Sequence, residues 1–281
     1  MELLRTPEVA RVWSSNVHLR NEKLAIVPTM GALHEGHLEL VAQARAAADR
    51  VIVTIFVNPL QFNQRADFDA YPRPIDGDLD VCRAIGVDAV YAPTAAVMYP
   101  RNYQTHVEPG VLADRLEGPM RPGHFRGVST VVLKLFAVTR PHVGVFGEKD
   151  YQQLAIIRQM VADFDLGIDI VAAPISRESD GLARSSRNVR LDPDQRRAAR
   201  VLSEALDEAV IAWRAGEHRV SQLIATAQEM IEAAPLARLE YVEFVDGVTL
   251  ESVDDAGDGG VMLTAAWFGE VRLIDNHVFA R

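Results

Sequence analysis

Short, almost unbroken apolar runs at residues 24–27, 51–57, 87–92, 143–146 and 168–175 alternate with longer stretches whose apolar positions recur at helical spacing, at 6–21, 37–48, 75–85, 127–138 and 151–164. Strands that are apolar on both faces belong to a parallel sheet covered by helices on each side, so the pattern predicts an α/β domain. After about residue 175 the texture changes. Helical spacing over 194–213 and 220–233 is followed by strand-like segments at 239–246, 261–268, 271–274 and 276–279, with a turn-forming cluster at 254–260. The expected organisation is a sheet domain over 1–175 and a smaller α+β domain over 176–281, with no internal repeat or low-complexity tract.

Composition narrows the classes. A chain of 281 residues that is 48% hydrophobic can bury a sizeable core. No apolar run approaches a bilayer span and no basic leader precedes an apolar stretch, so no membrane partner is expected. Lone Cys82 excludes an internal disulfide framework and predicts a reducing cytoplasm. The formal net charge of −10 argues against a protein that holds nucleic acid by broad phosphate contact, while leaving free nucleotides open. Arg196, Arg197 and Arg200 read as a solvated helix face.

In an open parallel sheet, ligands bind beyond the carboxyl ends of the strands, which singles out the residues just after each apolar run. The first run leads into Pro28-Thr29-Met30-Gly31-Ala32-Leu33-His34-Glu35-Gly36-His37, a tight turn opening a helix with two histidines on one face. Backbone N–H groups at a helix start, the positive end of its dipole and two imidazole donors suit a nucleotide phosphate; Gly36 between the histidines leaves room for an adenine ring. The pair is also compatible with a zinc site or an ordinary polar helix start, although no third ligand stands beside it. The second run leads to Asn58-Pro59-Leu60-Gln61-Phe62 and the fourth to Gly147-Glu148-Lys149-Asp150-Tyr151-Gln152-Gln153. A lysine at a strand end suits a phosphate, an aspartate at a helix start suits a ribose hydroxyl, and amides suit a hydroxylated acid. Each has a plainer alternative: a simple strand end at Asn58, a surface ion pair at Lys149-Asp150. Arg121 and His124 either receive a small carboxylate or shape a turn. Segment 176–188, rich in hydroxyls and arginines, is either a clamp for departing pyrophosphate or a flexible linker.

Taken together, PTMGALHEGH (28–37), FVNPLQF (56–62), YPR (71–73), RPGHF (121–125), FGEKDYQQL (146–154) and DGLARSSRN (180–188) resemble the pantoate–β-alanine ligase (pantothenate synthetase) family over essentially the whole chain. HEGH alone would mark only the wider adenylylating superfamily that includes class I aminoacyl-tRNA synthetases; FGEKD with SSRN, in this order, is more specific. The resemblance implies a Rossmann-type N-terminal domain of the HIGH-motif nucleotidylyltransferase superfamily, a smaller C-terminal lid and a homodimer. It further implies ATP-dependent condensation of pantoate with β-alanine to pantothenate, AMP and pyrophosphate, with Mg²⁺.

Residue roles follow from the same resemblance. His34, His37, Lys149, Ser185, Ser186 and Arg187 would face the phosphates. Gly36, Gly147, Asp150 and Ser176 would hold the nucleotide, with Met30 on that side and also packed with Val131 against the apolar part of pantoate. Gln61 and Gln153 would grip pantoate, and Asn58, Tyr71, Arg121 and His124 would lie near the second substrate. Gly77 stands where the family is commonly acidic, leaving Asp78, the phosphates and water for Mg²⁺. Arg184 stands where an apolar residue usually precedes the serine pair. Residues 185–188 lie where a lid could hinge. A nucleotidylyltransferase and a tRNA-binding or nucleotide-sensing relative of the synthetases are the rival readings; the acidic balance and the lack of an anticodon-binding extension count against the second.

Overall fold

Leu24, Ala25, Ile26 and Val27 are all fully buried, and their side chains divide by the two-residue period of a strand. Leu24 and Ile26 join one apolar cluster with Ile52, while Ala25 and Val27 join another with Val51 and Val53. A strand buried on both sides has to lie in the middle of a sheet with helices above and below. The structure, a computed structural model, describes residues 1–280.

The chain forms two compact units, 1–148 with 153–174, and 149–152 with Ile175 onward. The first contains β1 (Glu2–Leu4), α1 (Pro7–Leu19), β2 (Leu24–Thr29), α2 (Glu35–Ala47), β3 (Arg50–Ile55), α3 (Arg65–Ala70), α4 (Ile75–Ala84), β4 (Ala89–Tyr91), α5 (Ala95–Met98), α6 (Glu117–Met120), α7 (His124–Thr139), β5 (Val143–Gly147), α8 (Tyr151–Asp163, from Gln153) and β6 (Asp169–Ala173). Six strands pair in the order β1-β4-β3-β2-β5-β6, all parallel. Residues of α1, α7 and α8 cover one face, with Trp13, Val131 and Leu154 among them, and Val41 of α2 with Leu79 of α4 covers the other. The α/β class expected from the apolar runs is the one found. Strand order reverses between β2 and β5, so the carboxyl ends at Thr29 and Gly147 flank the crevice that this topology opens for a ligand.

The second unit carries α9 (Pro193–Ala199), α10 (Val201–Arg214), α11 (Val220–Ala233) and a three-stranded antiparallel sheet of β7 (Ala237–Val245), β8 (Gly260–Phe268) and β9 (Val271–Phe279). Leu202, Leu206, Leu223 and Ile231 pack on Phe244, Met262 and Phe268 to make its core.

Four differences from the sequence expectation have physical causes. The single helix over 194–213 is two, divided at Arg200, whose carbonyl is shared between the Ser203 hydroxyl at 3.0 Å and the Glu204 N–H at 3.2 Å. The two strands at 271–274 and 276–279 are one, because buried Asp275 is neutralised by Arg177 and does not interrupt the strand. Strand β1 is only three residues long and pairs at the sheet edge, too short for a periodic signal. Helices α3, α5 and α6 are single-turn or little longer, too short for helical spacing to show.

At the amino ends of the strands, charges take over from apolar contacts. Arg50 reaches Glu22 at 2.9 Å and Asp88 at 3.0 Å, and Arg45 reaches Asp88 at 2.7 Å. Burial pushes the Asp88 carboxyl up, but the Val51 N–H, Arg50 and Arg45 outweigh it and hold it below the usual value. A carboxyl lowered in the folded chain adds stability that is complete above its unfolded value, about 3.9, and is lost as pH falls through the folded value. Asp88→Asn is therefore expected to be less stable than the parent at pH 7, with the gap narrowing at about pH 2.5 in denaturant melts. An equal gap at both pH values would assign no part of it to this charge.

Candidate active site

The turn after β2 is built by side chains that consume its amides. Thr29 Oγ1 donates to the Thr54 carbonyl at 2.6 Å and accepts the Gly31 N–H at 3.1 Å. The Asp78 carboxylate, 3% exposed, accepts the N–H of Ala32 at 2.9 Å on one oxygen and that of Leu33 at 2.8 Å on the other. Gly31 and Ala32 both have positive φ, 83° and 52°. A Cβ on Gly31 would lie 2.7 Å from Asp78 Oδ2, so only glycine fits here. The amides at 31–33 are therefore committed within the turn, which leads into the first turn of α2, where Gly36 lies.

His34 is the N-cap of α2, with extended φ and ψ of −135° and 174°. Its N–H donates to His37 Nδ1 at 3.2 Å, and the two rings lie 4.1 Å apart. Accepting at Nδ1 places the proton of a neutral His37 on Nε2. The two imidazoles are thus locked as neighbours by backbone geometry, with Asp78 holding the loop behind them.

Asp78, the seat for Mg²⁺ that the resemblance implied, is already engaged in holding the turn. Both of its oxygens accept main-chain N–H groups, and no group of three or more metal-capable side chains occurs among the described residues. A Cβ at Gly77 would meet open space, so an acidic residue could be accommodated there and this chain lacks it. An amide at 78 has one acceptor where the turn needs two. Asp78→Asn is expected to lower turnover about 10²-fold through a misplaced histidine turn, with the Mg²⁺ concentration for half-maximal rate unchanged within about twofold; a large rise in that concentration would restore the metal-ligand role.

The amide cluster after β3 lies in the same unit. Asn58, 1% exposed, is saturated: Oδ1 accepts from Tyr99 OH at 2.8 Å and Leu60 N at 3.3 Å, and Nδ2 donates to Gln61 Oε1 at 3.0 Å and the Gly127 carbonyl at 3.1 Å. A carboxamide has two donors and two acceptor sites, so Asn58 positions Gln61 and has nothing left for a substrate. Burial pushes the Tyr99 hydroxyl up, which keeps it a donor. Gln61 Nε2 in turn donates to Met30 Sδ at 3.2 Å, which brings the amide against the histidine-bearing turn.

His124 closes the cluster from α7. Its Nδ1 is 2.8 Å from the Gln61 carbonyl and its Nε2 3.1 Å from Arg121 Nη1. A carbonyl only accepts and a guanidinium only donates, so the ring is neutral with its proton on Nδ1 and its basic nitrogen occupied by Arg121. It is therefore unsuited to take a proton from an amine. Arg121 also lies 3.8 Å from Glu117. Val131 is buried in α7, and Tyr71 packs edge-on to Phe62 with ring centroids 5.7 Å apart. Gly147 ends β5, and Gln153 lies in α8.

The remaining predicted residues belong to the second unit. Lys149, Asp150 and the first two residues of α8 are held there: Asn276 Nδ2 donates to the Lys149 carbonyl at 2.9 Å and Tyr151 OH to the Gly247 carbonyl at 3.0 Å. Segment 176–188 forms a hydrogen-bonded hairpin. The Arg184 N–H donates to the Ser176 carbonyl at 2.9 Å, Arg177 bridges to Ala183, and Asn188 Nδ2 donates to Glu178 at 2.8 Å and to the Ala183 carbonyl at 3.1 Å. Arg196 ties Glu178 and Asp180 to α9. Ser185 Oγ accepts the Arg187 N–H at 3.2 Å, so Ser185, Ser186 and Arg187 are presented on a fixed backbone.

Sequence reasoning passed over Gly127, Tyr99 and the Asp275-Asn276 pair. Gly127 leaves no room for a Cβ, which would lie 2.4 Å from the Leu60 carbonyl oxygen. The available signal was polar or minimal residues embedded in strongly apolar elements.

The chain matches known proteins over nearly its full length. The family model for pantoate-beta-alanine ligase matches residues 2–278. The chain is 47% identical over 280 residues to the pantothenate synthetase of Chlorobium chlorochromatii (strain CaD3), covering 99% of this chain and 97% of that one. The crystal structure of pantothenate synthetase from Thermus thermophilus superposes with a TM-score of 0.93 at 40% identity, covering all of both chains. That of the pantoate-beta-alanine ligase from Francisella tularensis, complexed with beta-gamma ATP and β-alanine, gives 0.82 at 33% identity, covering 99% and 97%. With a family model spanning nearly its full length, the chain belongs to the pantoate–β-alanine ligase family and is an enzyme that ligates pantoate and β-alanine to pantothenate.

Proposed function

We propose that the ligation runs through a pantoyl adenylate. The pantoate carboxylate attacks the α-phosphorus of ATP in line, forming the acyl–phosphate bond as pyrophosphate leaves. The neutral amine of β-alanine then attacks the acyl carbon, forming the amide as AMP leaves and giving up its extra proton to water. No protein nucleophile is needed because the substrate brings one. The complex of the Francisella relative with ATP and β-alanine supports the same pair of substrates here.

The observation that carries this reading is the 3.2 Å contact between Gln61 and Met30, which sets an acid-gripping amide against the turn ending in His34. In this scheme His34, His37, Lys149, Arg187, Ser185 and Ser186 stabilise charge on the α-phosphate and pyrophosphate oxygens. Gly36, Gly147, Asp150 and Ser176 hold the nucleotide. Gln61 and Gln153 orient pantoate, with Met30 and Val131 against its methyl groups. Arg121 faces a carboxylate, with His124 and Asn58 as its neighbours' supports and Tyr71 shaping the loop. No step is routed through Mg²⁺.

Exchange of labelled pyrophosphate into ATP, dependent on pantoate and without β-alanine, isolates the first half-reaction. Exchange is expected, followed by AMP and pantothenate when β-alanine is added; a dinucleotide product would instead make the chain a nucleotidylyltransferase. Free, buried Cys82, whose thiol burial pushes up to about 11, fits a reducing cytoplasm. No helix among the described residues is long and apolar enough to cross a membrane. The homodimer rests on family resemblance and is tested by sedimentation equilibrium.

A further inference from the structure

Two polar residues in succession inside an antiparallel strand are costly unless both are partnered. On β9, Asp275 and Asn276 are 2% and 1% exposed. Arg177 donates to Asp275 with Nη1 at 2.6 Å and Nη2 at 3.1 Å, and its Nη1 also reaches the Gly181 carbonyl at 3.1 Å. This fixes the base of the hairpin that presents Ser185, Ser186 and Arg187. The Asn276 N–H donates to Asp275 Oδ1 at 2.8 Å, and Asn276 Nδ2 donates to the Lys149 carbonyl at 2.9 Å. A continuous run of hydrogen bonds therefore joins two motif segments that are distant in sequence, and it passes through residues 275 and 276.

We propose that Asn276 is a positioning residue for adenylate formation: it anchors the Lys149 main chain and, through Asp275 and Arg177, keeps that lysine in register with the serine hairpin. This rests on the reading of Lys149 as a phosphate-side group. The lysine side chain is flexible, so the volume its ammonium can reach is set by where the main chain is held, and a displacement of about 1 Å is enough to cost on the order of 10²-fold in rate. A carboxamide is required at 276 because the group it meets is a carbonyl, which only accepts; an ionised aspartate there has no proton to donate.

A double-mutant cycle on the full-length chain tests the link. Pantoate-dependent pyrophosphate exchange is measured for the parent, Asn276→Ala, Lys149→Ala and the double variant. Asn276→Ala is expected to lower kcat about 10- to 10²-fold with the pantoate KM within about twofold, and to cause no further loss once Lys149 is alanine. Asn276→Ser, which keeps a donor, is expected to recover part of the rate. An equal loss in both backgrounds would make Asn276 merely structural and overturn the inference, as would parental turnover in Asn276→Ala. Parental exchange by Lys149→Ala alone would instead sink the lysine reading, a result separable from either of these. If Asn276→Ala does not fold, the same cycle with Asn276→Leu, which keeps the volume and has no donor, decides it.

Discussion

Lys149→Ala will slow pantoate-dependent pyrophosphate exchange by about 10²-fold or more while leaving the melting temperature near that of the parent. The lysine comes two residues after Gly147, which ends β5, one of the two strands between which the strand order reverses. In the proposed scheme the attacking carboxylate belongs to the substrate, the protein's share of the work is electrostatic, and the Lys149 ammonium would be among its largest contributions. Burial of apolar surface by this residue is not part of the core, which is why stability should be spared. Lys149→Gln, similar in length and uncharged, is expected to lose as much as alanine. Rates within about twofold of the parent for both variants would remove Lys149 from the phosphate side.

Gly127→Ala will damage both fold and pantoate binding, although the substitution adds one methyl. Helix α7 passes so close to the turn after β3 that a Cβ would lie 2.4 Å from the Leu60 carbonyl oxygen, 2.5 Å from its carbon and 2.6 Å from Gln61 N. None of these is a side chain that can swing away, so either the helix or the turn must shift. The shift breaks the bond from Asn58 to the Gly127 carbonyl and loosens the amide that holds Gln61. Overpacking of this kind costs about 1–3 kcal/mol, and we expect the pantoate KM to rise about tenfold or more as Gln61 loses its place, about 1.4 kcal/mol of binding. Thermal melts and exchange kinetics against pantoate concentration read the two effects separately. A parental KM would mean that Gln61 does not meet pantoate.

The sheet was legible because its strands are apolar on both faces, a signal that survives without knowledge of neighbours. Segments such as 24–27 and 51–57 announce themselves for that reason, whereas β1 has three residues and no period to detect. The histidine turn, the amide cluster and the hairpin were legible as groups of chemically apt residues after strand ends. Their internal wiring was not. Nothing in the local sequence tells that Asp78 caps a turn 46 residues earlier, or that all four hydrogen-bonding positions of Asn58 are filled. Asp275 looked like a strand break because its partner, Arg177, lies 98 residues away. Long-range polar pairing decides whether a charged residue is bound for substrate or for the fold, and it is the part that sequence periodicity does not encode.

The chain passes between its two compact units three times, since 149–152 group with the later unit while the residues on both sides of them group with the earlier one. One consequence concerns dissection. A fragment cut at 174 would leave the C-terminal piece without the tyrosine and the carbonyl that Gly247 and Asn276 engage, and would leave the N-terminal piece with an untethered helix head. Neither half is then a faithful copy of what it is in the whole, so complementation by co-expressed halves is a more informative experiment than purifying either one by itself.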